Sequence, residues 1–123
     1  MDPDWLRRGS VGPETAIEEG CLITELVNAE DCPGASLALA RVPAGTRTRL
    51  HRLEGIEERY VVRRGRGRAE IAGVAAEVGP GDVAVIPPGT PQRIEALGPE
   101  DLEFYCLCVP RFQPGAYRDL EEP

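Results

Sequence analysis

Four side chains that can bind a metal ion or contact a substrate lie in two short stretches of this sequence. His51 is the only histidine in the chain, and Glu58 and Tyr60 follow it after a short turn. Gln92 comes soon after a Pro-Pro-Gly break later in the chain. Imidazole nitrogen and carboxylate oxygen are good ligands for Zn, Mn, Fe, Ni or Cu ions, and an amide oxygen is a weaker one. These two stretches are therefore the candidates for a functional site.

The spacing of these residues predicts which of them share a face. Side chains alternate along a strand, so Leu53 should point the same way as His51, and Tyr60 the same way as Glu58. The turn at residues 54–56 should bring the two strands side by side. An imidazole and a carboxylate would then lie within reach of one ion.

A purely structural interpretation of the same residues stays open. A lone histidine on an inner face is often a hydrogen-bonded core residue, and Glu58 could pair with an inward arginine. Arg47 and Arg49 have the same parity as His51, and Arg93 lies beside Gln92. The sequence does not choose between an ion and such a pair.

Short strands separated by turns must position this site. The chain has 123 residues, with 14 glycines and 12 prolines, which favours many short strands over long helices. Regular turns between such strands predict a β-sandwich or β-barrel in one domain. The alternation predicts strands at 21–27, 36–42, 59–62, 68–71, 74–78, 83–86, 93–96 and 102–109.

Composition limits the partners and the compartment. The net charge of −7 argues against a nucleic-acid partner, because phosphate binding needs a positive field. No apolar run is long enough for a signal peptide or a membrane span, so we expect no membrane partner and a cytoplasmic protein. In that compartment the four cysteines should be thiols. Cys106 and Cys108 share a face and are either core residues or part of a pocket wall.

The chain resembles the cupin family between Gly45 and Gly65, in G-T-R-T-R-L-H-R-L-E-G-I-E-E-R-Y-V-V-R-R-G. The family's first motif reads Gly, five residues, His-x-His, three or four residues, Glu, six residues, Gly, and Leu53 replaces its second His. The second motif reads Gly, five residues, Pro-x-Gly, two residues, His, three residues, Asn. It is found here as G-D-V-A-V-I-P-P-G-T-P-Q, starting at Gly81, with Gln92 at the His position and Ala96 at the Asn position.

The resemblance implies an all-β fold, a double-stranded β-helix (jelly-roll barrel), with a small-molecule pocket. It implies an N-terminal arm at 1–20, a cupin barrel at 21–112 and a C-terminal tail at 113–123. It also implies a homodimer, because similar small cupins are often dimers.

For the site, the resemblance implies a weakly bound divalent transition metal held by His51, Glu58 and Gln92. The substrate or ligand would be a small molecule, contacted by Tyr60, Arg47 and Arg93. The protein would be a metal-dependent dioxygenase, isomerase, lyase or cyclase. The alternative is a metal-free module that binds or senses a small molecule, with an arginine gripping an anionic ligand.

Overall fold

The computed structural model describes residues 1–8 and 13–121, and β-strands dominate it. The strands are β1 Thr15–Ala16, β2 Leu22–Val27, β3 Ser36–Val42, β4 His51–Leu53, β5 Glu57–Arg64, β6 Gly67–Ile71, β7 Val74–Val78, β8 Val83–Ile86, β9 Gln92–Ala96, β10 Leu102–Val109 and β11 Tyr117–Asp119. One short 3-10 helix covers Pro114–Ala116. The strands predicted from alternation are all present, with bounds that shift by two residues or fewer at each end.

The strands form two antiparallel sheets. A six-stranded sheet has the order β1, β2, β3, β10, β5 and β8, and a five-stranded sheet has the order β11, β4, β9, β6 and β7. The core lies between their inner faces, which makes the molecule a double-stranded β-helix. The predicted all-β barrel is confirmed.

The six-stranded sheet aligns its inward side chains in rows across neighbouring strands. In β5 every second residue is buried, including Glu58 and Tyr60, as a half-exposed strand requires. Pairing of β3, β10, β5 and β8 places the rows Ser36–Cys108–Glu58–Ile86, Ala38–Cys106–Tyr60–Ala84 and Ala40–Phe104–Val62 on this face.

A glycine turn fixes the end of β5. Gly65 has φ +82, a conformation that side chains rarely adopt, and a Cβ there would collide with the carbonyl oxygen of Asp101. The chain therefore reverses tightly into β6, which pairs with β9. Strand β9 also pairs with β4 in the same sheet, and there Gln92 is the pairing partner of His51.

Both terminal segments add strands to the sheets. Residues 15–16 pair with β2, and residues 117–119 pair with β4, so parts of the expected arm and tail belong to the barrel. Residues 9–12 of that arm and 122–123 of that tail lie outside the described residues. Across 1–8 and 13–121, no helix has the length and apolar character needed to cross a membrane.

Candidate functional site

A cavity of about 100 Å³ opens between the two sheets. Its walls are mostly apolar, and its polar side chains come from five strands and from the loop before β2. The lining residues are Ile17, Glu19, Cys21, Ile23, Glu25, Ser36, Ala38, Ala40, His51, Leu53, Glu58, Tyr60, Phe104, Cys106, Cys108 and Phe112. A few polar groups in an apolar cavity are typical of a small-molecule site.

Glu58 is a buried acid in the cavity wall. Its side chain is 7% exposed, and its Oε1 has no hydrogen-bond partner among the described residues. Its Oε2 accepts a weak hydrogen bond from the Cys108 thiol at 3.6 Å. Burial raises the pKa of Glu58 to about 8, and the nearby Glu19 carboxyl adds to that shift. A carboxyl group with this pKa can give or take a proton near neutral pH.

His51 is held in one tautomer and faces a second acid. Its Nδ1–H donates to the carbonyl oxygen of Arg49 at 2.6 Å, and its ring stacks on Tyr117 with centroids 5.2 Å apart. Its Nε2 lies 3.5 Å from Oε2 of Glu19. The ring nitrogen and the carboxyl oxygen are close enough for an electrostatic contact. Burial raises the pKa of Glu19, and His51 opposes the shift.

Tyr60 and Gln92 form a hydrogen-bonded pair beside the two acids. The Tyr60 hydroxyl donates to Oε1 of Gln92, and both side chains are almost completely buried. The Tyr60 ring packs on Phe104 with centroids 4.4 Å apart. Burial raises the pKa of Tyr60 well above its ordinary value, so its hydroxyl stays protonated.

Three thiols complete the polar part of the wall. Cys21, Cys106 and Cys108 line the cavity, and they and Cys32 are all free cysteines. Burial is the main cause that raises the pKa of each of the three cavity thiols, and the neighbouring carboxyl groups add to it. They are therefore neutral thiols and weak nucleophiles.

The two predicted substrate-binding arginines lie outside the cavity. Arg47 is exposed and pairs through its backbone with Glu95. Arg93 is bonded to Glu70, with Nε 3.0 Å from Oε2. Because Gln92 and Ile94 are both buried, alternation along β9 turns the residue between them away from the core.

The donor set does not match a tightly held transition metal. A catalytic zinc site uses three protein ligands. Leu53 is buried with no donor atom, and the amide oxygen of Gln92 already accepts the Tyr60 hydroxyl. Among residues 1–8 and 13–121, no three His, Cys, Asp or Glu side chains are arranged to hold an ion. This leaves His51 and Glu58 of the expected set with free ligand atoms.

Glu19 and Glu25 were not among the sequence-predicted site residues. Both line the cavity together with Cys21 and Ile23, and all four have the same parity. Extending the alternation of β2 backward by three residues would have found Glu19. The backbone carbonyl of Glu19 accepts from the amide of Arg49 at 2.7 Å, which ties this loop to the segment before His51.

The two sheets and the cavity between them define a jelly-roll barrel. Residues 38–109 match the Cupin domain model. The chain is 37% identical over 106 residues to the uncharacterized protein MJ1618 of Methanocaldococcus jannaschii, covering 85% of this chain and 82% of that one. The chain belongs to the cupin family.

Solved structures share this fold. A predicted oxalate decarboxylase from Thermotoga maritima is 25% identical with a TM-score of 0.76, covering 85% of this chain and 97% of that one. Pac13 of Streptomyces, described as a nucleoside dehydratase, is 17% identical with a TM-score of 0.81, covering 97% and 92%. KdgF from Halomonas is 21% identical with a TM-score of 0.75, covering 87% and 94%.

Proposed function

We propose that this protein is an enzyme that moves protons on a small molecule in the barrel cavity, without a transition metal. The observation that carries the proposal is the buried Oε1 of Glu58, which has no hydrogen-bond partner among the described residues and belongs to a cavity-lining carboxyl group with a pKa of about 8. The His51–Glu19 pair lines the same cavity and is the proposed second acid–base group.

An acid and a base in one mostly apolar cavity fit an isomerase or a lyase. One group takes a proton from carbon, and the C–H electron pair forms a new double bond. In a lyase a C–O bond to a hydroxyl breaks as that double bond forms, and the other group protonates the departing oxygen, which leaves as water. In an isomerase an existing double bond opens as the new one forms, and its electron pair takes the proton at its far carbon. Both routes need only groups with pKa values near the working pH.

The wall residues support this chemistry. Glu58 is the proposed acid–base group, and Tyr60 orients Gln92 beside it. The apolar wall excludes water, which strengthens electrostatic contacts with a substrate. Pac13 is described as a dehydratase, and dehydration is an elimination of this kind, although a fold alone does not choose a reaction.

Deuterium wash-in tests the proposal without knowledge of the natural substrate. We expect the protein in D₂O to exchange carbon-bound hydrogen in at least one member of a panel of small hydroxy-carbonyl compounds, with and without an amino group. Glu58→Gln should lower that rate by about a hundredfold or more, because it removes the proton-carrying group. Mass spectrometry of the recovered compounds gives the rate.

Glu57→Gln is the matched control. Glu57 is the neighbour of Glu58 on the opposite face of β5, and it pairs with Arg59. The Glu57→Gln variant should exchange carbon-bound hydrogen of the panel compounds at the wild-type rate. Equal rates in Glu58→Gln and Glu57→Gln would refute the role of Glu58. Saturable binding with no exchange of any panel member would favour the metal-free binding module.

We also propose that the protein forms a homodimer through the outer face of its six-stranded sheet. Two cross-strand rows there are largely apolar, and Val83 and Val85 are 51% and 56% exposed. The flanking pair of Arg63 and Glu103 gives the face both charges, so two copies related by a two-fold axis can complement each other. The rows are Leu39–Tyr105–Val61–Val83 and Leu37–Leu107–Arg59–Val85.

Val83→Glu should raise the dissociation constant of the dimer by about tenfold or more, because it buries an unpaired charge. Sedimentation equilibrium measures the constant. Val74→Glu, at a 73% exposed position in the other sheet, should leave it unchanged. A wild-type protein that sediments as a monomer at every concentration would refute the dimer.

A further inference from the structure

We infer that the ligand of the cavity presents a positively charged nitrogen, as a small protonated amine on a compact apolar body, and not a carboxylate or a phosphate. This inference names the ligand class of the site proposed above and rests on that proposal. It departs from the anionic ligand that an arginine-lined pocket would take.

The carboxyl groups of the cavity carry the inference. Glu19, Glu25 and Glu58 all line it, and they come from different parts of the inner surface. Only 7% of the Glu58 surface is exposed, and its Oε1 has no hydrogen-bond partner among the described residues. A buried carboxyl oxygen without a hydrogen-bond donor lowers the stability of the protein. An N–H group of a ligand would donate to it and remove that loss.

Among residues 1–8 and 13–121, no arginine lines the cavity, and the chain contains no lysine. Several arginines near the site in sequence are engaged elsewhere. Arg49 bonds Asp119 at 2.9 Å, Arg93 bonds Glu70, and Arg111 donates to Asn28 at 2.8 Å. An anion entering this cavity would meet three acidic side chains and one imidazole that already faces Glu19. Where these carboxyl groups are ionised, they repel such a ligand.

Aromatic rings add a second attraction for a cation. Tyr60, Phe104 and Phe112 line the same cavity as the acids. The face of an aromatic ring attracts a nearby cation, and more strongly when the pair is buried. The cavity of about 100 Å³ limits the rest of the ligand to a short apolar body.

Three probes of similar size and different charge test the inference: butylamine, butanol and butyrate. We expect butylamine to bind at least about tenfold more tightly than butyrate, with butanol between them. The dissociation constants come from titrating the backbone amide resonances of Phe104 and Cys106 at slightly alkaline pH, where butylamine is still protonated. Glu58→Gln and Glu19→Gln should each reduce the preference for butylamine severalfold, and Glu57→Gln should keep it.

Butyrate binding as tightly as butylamine, or more tightly, would overturn the inference. An unchanged preference for butylamine over butyrate in both Glu58→Gln and Glu19→Gln would also overturn the inference. The deuterium exchange assay uses other compounds and judges the proposed reaction separately. Deuterium exchange without a preference for butylamine would refute the inferred ligand class and leave the proposed reaction. A preference for butylamine without deuterium exchange would refute the proposed reaction and leave the ligand class.

Discussion

Replacing Leu53 with histidine will turn the cavity into a divalent-metal site. Leu53 is 3% exposed, lines the cavity and lies two residues from His51 on the same face of β4. The new imidazole would complete two histidines and Glu58, a set that holds zinc in enzymes. We expect Leu53→His to bind Zn²⁺ or Ni²⁺ roughly a hundredfold more tightly than the parent, measured by calorimetry.

Leu53→Asn is the control for this change. It places a polar side chain of similar size at the same position without a strong ligand nitrogen, so it should gain little affinity. Adding His51→Ala to Leu53→His should return the affinity to that of the parent. A folded Leu53→His with no gain in affinity would contradict the arrangement of β4 and β5 described above.

The unfolding free energy should fall as the pH rises from about 4.5 to about 8, because the pKa of Glu58 is raised across that range. A raised carboxyl pKa means that the folded state binds the proton more tightly than the unfolded chain. Its contribution is complete below the unfolded pKa and is lost as the pH rises through the folded one. One such group gives a slope of at most about 1.4 kcal/mol per pH unit.

Glu58→Gln should flatten this slope and make the protein more stable than wild type at pH 8. The groups that face Glu58 set the size of the effect: Glu19 raises its pKa, and Cys108, Gln92 and Cys106 lower it. The pKa of Glu19 is also raised, so part of the slope should remain. Urea unfolding at a series of pH values measures it, with Glu57→Gln as the control. Identical slopes in all three proteins would contradict the buried acid.

The sequence predicted the barrel well because its strands are bounded by Gly and Pro turns. Alternation along β5 also predicted that Glu58 and Tyr60 face the same way, and both line the cavity. The same rule misplaced Arg47, because residues 48–50 are not a continuous strand and parity does not carry through them. Glu19 was missed because it precedes β2, although the alternation of that strand extended backward places it on the cavity face.

The loop that carries Glu19 has a consequence for how ligand choice can change. The matched family region begins at residue 38, whereas Ile17, Glu19, Cys21 and the rest of that wall come earlier in the chain. Two of the three cavity acids, Glu19 and Glu25, therefore lie outside the residues that match the Cupin domain model. Sequence changes in residues 17–25 would then change the ligand selectivity of the cavity while the barrel fold is kept. Two cupins with the same barrel would then bind different ligands, so a shared fold does not imply a shared ligand.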